Sequence, residues 1–141
     1  MATCRFEYVA KVLCGEIPER GGPLAPGVYV TEVNIYNPNE RPVTLRKRLV
    51  LTIPPGDQRE NEASLDEQHP LGPGRALAVD CRYLAQRVSP GPFFVGFLVV
   101  ESTDSIDVTA VYTTAGLREL TAPGIAVEQI RERTRVTDER A

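Results

Sequence analysis

The sequence holds one histidine, no tryptophan and three cysteines, and each scarcity excludes some chemistry. His69 lies in "EQHPLGPG", beside a proline in a loop-like context, and reads as a solvent-exposed residue, not a general base. The sequence has no serine nucleophile elbow, no HExxH and no phosphate-cradling glycine loop. "GGPLAPG" is rich in glycine but lacks the lysine and the following helix that phosphate binding uses. Cys4, Cys14 and Cys81 lack the paired close spacing of a zinc site. An odd count in a cytosolic chain also argues against a disulfide framework. The three cysteines therefore read first as small packing or surface residues, and a Cys14–Cys81 bridge between strand ends is the alternative.

Long apolar runs are also missing. No stretch approaches the roughly 18 uninterrupted apolar residues of a membrane helix. The opening "MATCRFEYVAKVLCGEIP" interrupts its apolar residues with Arg5, Glu7 and Lys11, unlike the continuous core of a secretory signal. The expectation is a soluble, cytoplasmic protein without membrane insertion. A strong charge imbalance is absent as well: 16 Lys and Arg stand against 19 Asp and Glu, a net charge of −3. Nucleic-acid binding needs a concentrated positive surface, and none is evident. "LRKRL" is thinner than it looks, because on a strand Arg46 and Arg48 point together and Lys47 points away. It reads as an exposed strand face that discourages edge pairing. The acidic stretch 57–67, "DQRENEASLDE", lacks the alternating acids and central glycine of a calcium loop. The reading is therefore a protein that is not an enzyme, with no catalytic residue, no cofactor and no metal ligand. A hydrolase of unrecognised type is the enzymatic alternative.

What is present is strand pattern. At 141 residues the chain fits one domain, 1–141, with a charged tail at 131–141. In "RFEYVAKVLC", Phe6, Tyr8, Ala10, Val12 and Cys14 share one face and Arg5, Glu7 and Lys11 the other, the period of a half-buried strand. "VYVTEVNIYN" repeats this with Tyr29, Thr31, Val33 and Ile35. "VTLRKRLVLTI" does so with Val43, Leu45, Leu49 and Leu51, and Lys47 on the apolar face suggests a bulge or a strand end. The short link "NPNERP" predicts that these two strands form an antiparallel hairpin.

Residues 54–74 lack a pattern and read as a solvated excursion. "RALAVD" is a short strand, and "CRYLAQRV" is the one plausible helix, near residues 81–88, burying Tyr83, Leu84 and Val88. "FFVGFLVVES" is apolar on both faces, which places it mid-sheet or under an oligomer contact. Its Gly96 suits a close backbone approach or a kink. "IDVTAVYTT" turns Ile106, Val108, Ala110 and Tyr112 inward, and the "STDS" turn predicts a second hairpin with the strand before it. Phe97 and Val108 are the expected core markers. "GIAVEQI" is a last short strand. The fold expected is all-β, an antiparallel β-sandwich of about seven strands with one short helix.

"KVLCG", "LAPGVYVTEVNIYNPN", "GFLVVES" with "DVTAVYTTAG", and "GIAVEQI" together resemble a family of small bacterial β-sandwich proteins that brings no activity with it. In strand order and turn placement, "CGEIPERGGP", "VNIYNPNERPVTLRKRL" and "FLVVESTDSIDVTAVYT" also resemble the sensory-rhodopsin transducer family. That resemblance implies a small β-sandwich that forms homo-oligomers and serves as the cytosolic partner of a membrane receptor. The acidic stretch, the helix and the final strand are departures from it.

The functional expectation is a non-catalytic, self-associating structural or protein-interaction module. Ile125, Val127 and Ile130 of the last strand are the candidate homo-oligomer contacts, because so short a strand cannot bury them alone. The tail, with four bases and three acids, is expected to pair with charges across that interface. A small-molecule or carbohydrate-binding sandwich using the long loops is the alternative, with Tyr29, Tyr36 and Tyr112 as the available rings.

Overall fold

The computed structural model describes residues 5–57, 65–88, 91–118 and 124–135. The strands are β1 (Phe6–Ile17), β2 (Gly27–Tyr36), β3 (Val43–Leu51), β4 (Leu65–Leu71), β5 (Ala76–Asp80), β6 (Phe93–Ser102), β7 (Asp107–Ala115), β8 (Gly124–Gln129) and β9 (Glu132–Thr134), and α1 (Cys81–Val88) follows β5. All nine are hydrogen-bonded in one antiparallel sheet of order β4-β3-β6-β1-β2-β7-β8, with β5 added to β2 and β9 to β1. The sheet folds over itself. β4, β3, β6 and β1 form one layer and β2, β7 and β8 the other, and residues of both layers share a single core. The expected all-β sandwich with one short helix is what forms, with nine strands among the described residues instead of about seven.

The fold turns over at Gly15. β1 pairs with β6 from Phe6 to Gly15, then with β2 from Gly15 to Ile17. Gly15 sits at φ +118, and a Cβ there would lie 2.0 Å from the Pro92 carbonyl oxygen, so only glycine fits this corner. Gly96 is the close approach expected of it: a Cβ would meet the Val50 carbonyl oxygen at 2.6 Å, where β3 and β6 run side by side.

Neither expected hairpin exists. β3 pairs with β4 and β6, and β2 pairs with β1, β5 and β7. β6 and β7 likewise lie in different layers. Both short links cross the roughly 10 Å between stacked sheets instead of turning back within one. They are bonded to each other: Asn39 Nδ2 donates to the Ser105 carbonyl at 2.9 Å and Arg41 pairs with Asp104 at 2.6 Å. Fully buried Asn37 pins the corner, donating from Nδ2 to the carbonyls of Arg41, Leu71 and Gly72 and accepting from Asn39 on Oδ1. A buried amide with this many partners is well satisfied.

The core itself follows the alternation. Tyr8, Ala10, Val12 and Cys14 of β1, Val33 and Ile35 of β2, Val43, Leu45 and Leu49 of β3, and Val108 and Ala110 of β7 are all buried. Phe97 is a correction: it is 38% exposed on the outer face, and Leu98 beside it is fully buried.

The stretch 54–74 is a second correction, because Leu65–Leu71 is β4, paired along β3; residues 58–64 of the acidic stretch lie outside the described residues. The helix runs from Cys81 to Val88 with Leu84 buried and Tyr83 and Val88 packed against the core. The tail is not wholly separate from the domain. β9 joins β1, and the chain crosses from β8 to it through Ile130, whose N–H donates to Val108.

Candidate functional site

Cys14 and Cys81 are joined in a disulfide, with Cα atoms 5.5 Å apart, tying β1 to the first residue of α1. The reading of these two as ordinary packing residues is thereby corrected in favour of the bridge; Cys4 lies outside the described residues. The Thr31 N–H donates to Cys81 Sγ at 3.2 Å, which anchors the bridge to β2 as well. The helix start is further held by Asp80, whose Oδ1 accepts from the Tyr83 N–H at 2.8 Å, as an N-terminal cap does.

This helix covers a buried cation. Lys47 is 3% exposed, and it causes neither a bulge nor a strand end, since β3 stays in register through it. Its Nζ donates to Tyr83 Oη at 3.1 Å, lies 3.4 Å from Glu67 Oε2 and sits 4.6 Å from the centre of the Tyr83 ring. Arg87 stacks on the other contact of that ring at 3.4 Å and donates to Glu67 Oε1 at 2.8 Å. Tyr83 in turn donates a short hydrogen bond to Glu67. Burial works to raise the Glu67 carboxyl, but these donors and the Lys47 charge outweigh it and hold the group below its usual range. Each member has a partner within the cluster, which stabilises its charge.

The outer face of the same layer carries a second ionic cluster. Glu101 is 2% exposed and is surrounded by Arg48 at 3.2 Å, Arg46 at 3.9 Å and, in a short contact, Arg135. Arg46 also grips Asp66 with two hydrogen bonds of 3.0 and 2.8 Å, and this hydrogen bonding is the main cause of the lowered Asp66 pKa. The pair Arg46 and Arg48 is thus not an exposed edge-protecting face; β3 is an interior strand. Arg135, expected to reach across an interface, bonds to Glu101 of the same chain.

Glu132 does the same. It accepts from Ser105 and from Tyr8 Oη, the latter at 2.6 Å, and these bonds lower its pKa, while burial and then Glu132 raise Tyr8 to about 12. His69 is not in a loop. It lies on β4 opposite Leu45, half-buried, with Nδ1 3.3 Å from the Pro70 carbonyl oxygen. No three His, Cys, Asp or Glu side chains converge on one point among the described residues.

Two surfaces remain. One is a cleft of about 680 Å³ between the β1–β2 loop at Pro23 and Leu24, the end of β3 from Leu51 to Pro54, and the start of β6 at Phe93, with Lys11 and Leu13 of β1 along its floor. Tyr29, Tyr36 and Tyr112 do not line it. Tyr29 instead meets Phe93 edge-on at 5.7 Å, and Tyr112 donates to Glu128 at 3.1 Å. The sign of this cleft was present in "FFVGFLVVES", whose off-core positions Phe93, Val95 and Phe97 are apolar.

The other surface is the outer face of β2, β7 and β8. Ile125 pairs with Thr113 and Val127 with Val111, while Val30 lies across Thr113. Ile125 is 71% and Val127 68% exposed, whereas Ile130 is 6% exposed in its own core. The first two candidate contacts therefore sit together on the surface, and Ile130 belongs to the core.

No family model and no curated protein matches the sequence. Among solved structures, the chain is similar to Thermotoga maritima 1070, with a TM-score of 0.56 and 11% identity, over 93% of this chain and 96% of that one. At that identity the likeness is one of fold.

Proposed function

We propose that the protein is a non-catalytic, self-associating β-sandwich that works as a structural or protein-interaction module. The observation that carries this reading is the exposure of Ile125 and Val127 beside Val30, with Val111 and Thr113 of β7 between them and Asp107 at the far end of that row. Glu32 is the charged residue in the adjoining row of β2. Contiguous exposed aliphatic surface on a sheet is a mark of an interface, and β8 is an edge strand whose outer side pairs with no strand among the described residues. A second copy related by a two-fold axis would place the same strip against itself.

The ion pairs described above leave little for catalysis: each clustered carboxylate is matched by a guanidinium, an ammonium or a hydroxyl. No helix among the described residues is long and apolar enough to cross a membrane. A cytoplasmic location is part of the proposal, and there the Cys14–Cys81 pair would meet reducing conditions. Its oxidation state in protein taken directly from cells is then a readout of compartment.

Native mass spectrometry of the full chain, with a pull-down from the source cell, tests the proposal. Homo-oligomers that fall to single chains when Ile125 and Val127 are both replaced by Ser support it. A single-chain species for the unaltered protein overturns it. Removing residues 124–141 is not a clean test, because that deletion also takes Ile130 from the core and Glu132 from Tyr8.

A further inference from the structure

The cleft lies on the layer opposite the Ile125–Val127 strip, and self-association through that strip leaves it unexplained. Its floor is set by register. Leu13 of β1 stands beside Val95 of β6, Gly15 stands beside Phe93, and Lys11 stands beside Phe97 one row away. Within the cleft the floor is thus apolar except at Lys11, beyond which the outward row of β1 runs on to Val9 and Glu7. Leu24 lines one side and Thr52 the other.

Lys11 is the one charged residue of the lining. Its ammonium rests 4.4 Å from the centre of the Phe97 ring and has no carboxylate partner among the described residues. In that it differs from the arginines around Glu101 and from Lys47 beneath α1, which are paired. A volume of about 680 Å³ falls inside the range typical of small-ligand pockets, roughly 300 to 1,000 Å³, and such pockets combine apolar walls with a few placed polar groups.

We propose that this cleft binds a small amphipathic monocarboxylate, with its apolar body along Leu13, Val95 and Phe93 and its carboxylate at Lys11. Charge complementarity selects the ligand class: an apolar floor with one unpaired ammonium at its end matches an apolar chain with one anionic head. A sugar would find too few hydrogen-bonding groups on these walls, and a dianion would leave one charge without a partner.

The test is a titration of the isotope-labelled full chain with dodecanoate below its micelle concentration, followed by amide chemical shifts, with dodecanol as the uncharged probe. Saturable shifts confined to Lys11, Leu13, Leu24, Thr52, Phe93 and Val95 are expected. Lys11→Met should weaken dodecanoate about tenfold, the scale of one charge-assisted contact, and leave dodecanol unchanged. Leu13→Trp should abolish both. Should Leu13→Trp fail to fold, the Lys11→Met comparison between the two probes still decides the matter, since Lys11 lies on the surface side of β1. The proposal is overturned by shifts elsewhere, by no saturable shift, or by equal weakening of both probes. It is likewise overturned if maltose, and not dodecanoate, moves these residues, or if dodecanoate binds only after dilution has separated assembled copies.

Discussion

β6, of ten residues, and β8, of six, both carry aliphatic side chains, yet they hold them for different reasons. β6 lies between β1 and β3, so Leu98 and Val100 fill the core and even its outward Val99 and Glu101 are buried. Among the described strands β8 pairs with β7 alone, and its two large aliphatic side chains are exposed to solvent. The first strand is apolar because the subunit must fold. The second is apolar where folding of the chain does not require it, and the proposal of self-association rests on that surplus. An apolar sequence pattern therefore needs its place in the sheet before it can be read as core or as contact.

The largest effect that sharpens this contrast is expected inside β6. Leu98→Ala removes a fully buried side chain and should lower stability by about 3 kcal/mol, within the range for cavity-forming core changes. Phe97→Ala, one residue earlier on the outer face, should cost about 1 kcal/mol through lost contact with Lys11. Urea denaturation of both variants checks the pair, and equal midpoints would show that the two faces of β6 have been exchanged.

Glu101→Ala should come next, at about 2 kcal/mol. It leaves Arg46, Arg48 and Arg135 facing one another without their shared carboxylate. The value falls below the roughly 3 to 5 kcal/mol of a fully buried pair because the guanidinium groups reach solvent. Since the lost term is ionic, the difference between Glu101→Ala and the unaltered protein should shrink in high salt, whereas that of Leu98→Ala should not.

The acid limb is expected to be gradual. Asp66, Glu67 and Glu132 all have folded-state pKa values below their ordinary ones. Their stabilisation is complete above the unfolded carboxylate range of about 4 and is lost as the pH falls through the lower folded values. Tyr8, raised to about 12, has the opposite sign: its contribution is present below about 10 and lost as the pH rises through about 12. Denaturation midpoints should thus be flat between those limits and fall outside them. Midpoints unchanged down to about pH 2 would show that the ion pairs around β4 and β9 do not contribute.

Most single strands and the helix were legible in the sequence, because period-two alternation in "FEYVAKVLC" or "DVTAVYTT" reports directly which side chains face the core. β4 was not. Its core-side positions include Glu67 and His69 instead of aliphatic residues, and it carries Pro70. Glu67 is tolerated there only because Lys47, Tyr83 and Arg87 meet it, and those partners come from distant parts of the chain. Strand pairing was misread for a related reason. The lengths of "NPNERP" and "STDS" suit a hairpin as well as a crossing, and the choice rests on bonds such as Asn39 to Ser105. The Cys14–Cys81 bridge, with a sequence separation of 67, was visible only as one of two readings. Of the candidate contacts, exposed Ile125 and Val127 and buried Ile130 differ because β8 ends at Gln129 and the chain then turns into the core. The apolar cleft was foreshadowed by the two-faced β6, but its cation, Lys11, had read simply as part of a polar strand face.

The smallest effect on folding is expected at β8, and it is the most informative about function. Ile125→Ser with Val127→Ser should change subunit stability by no more than about 0.5 kcal/mol, because both side chains are already exposed. Sedimentation velocity of this double variant beside the unaltered chain, at micromolar concentration, tests the central claim most directly. The unaltered chain should sediment as a homo-oligomer of its 15.5 kDa subunit and the double variant as a single folded subunit. An unaltered chain that sediments as a monomer would contradict self-association and leave the Lys11 cleft as the leading functional surface.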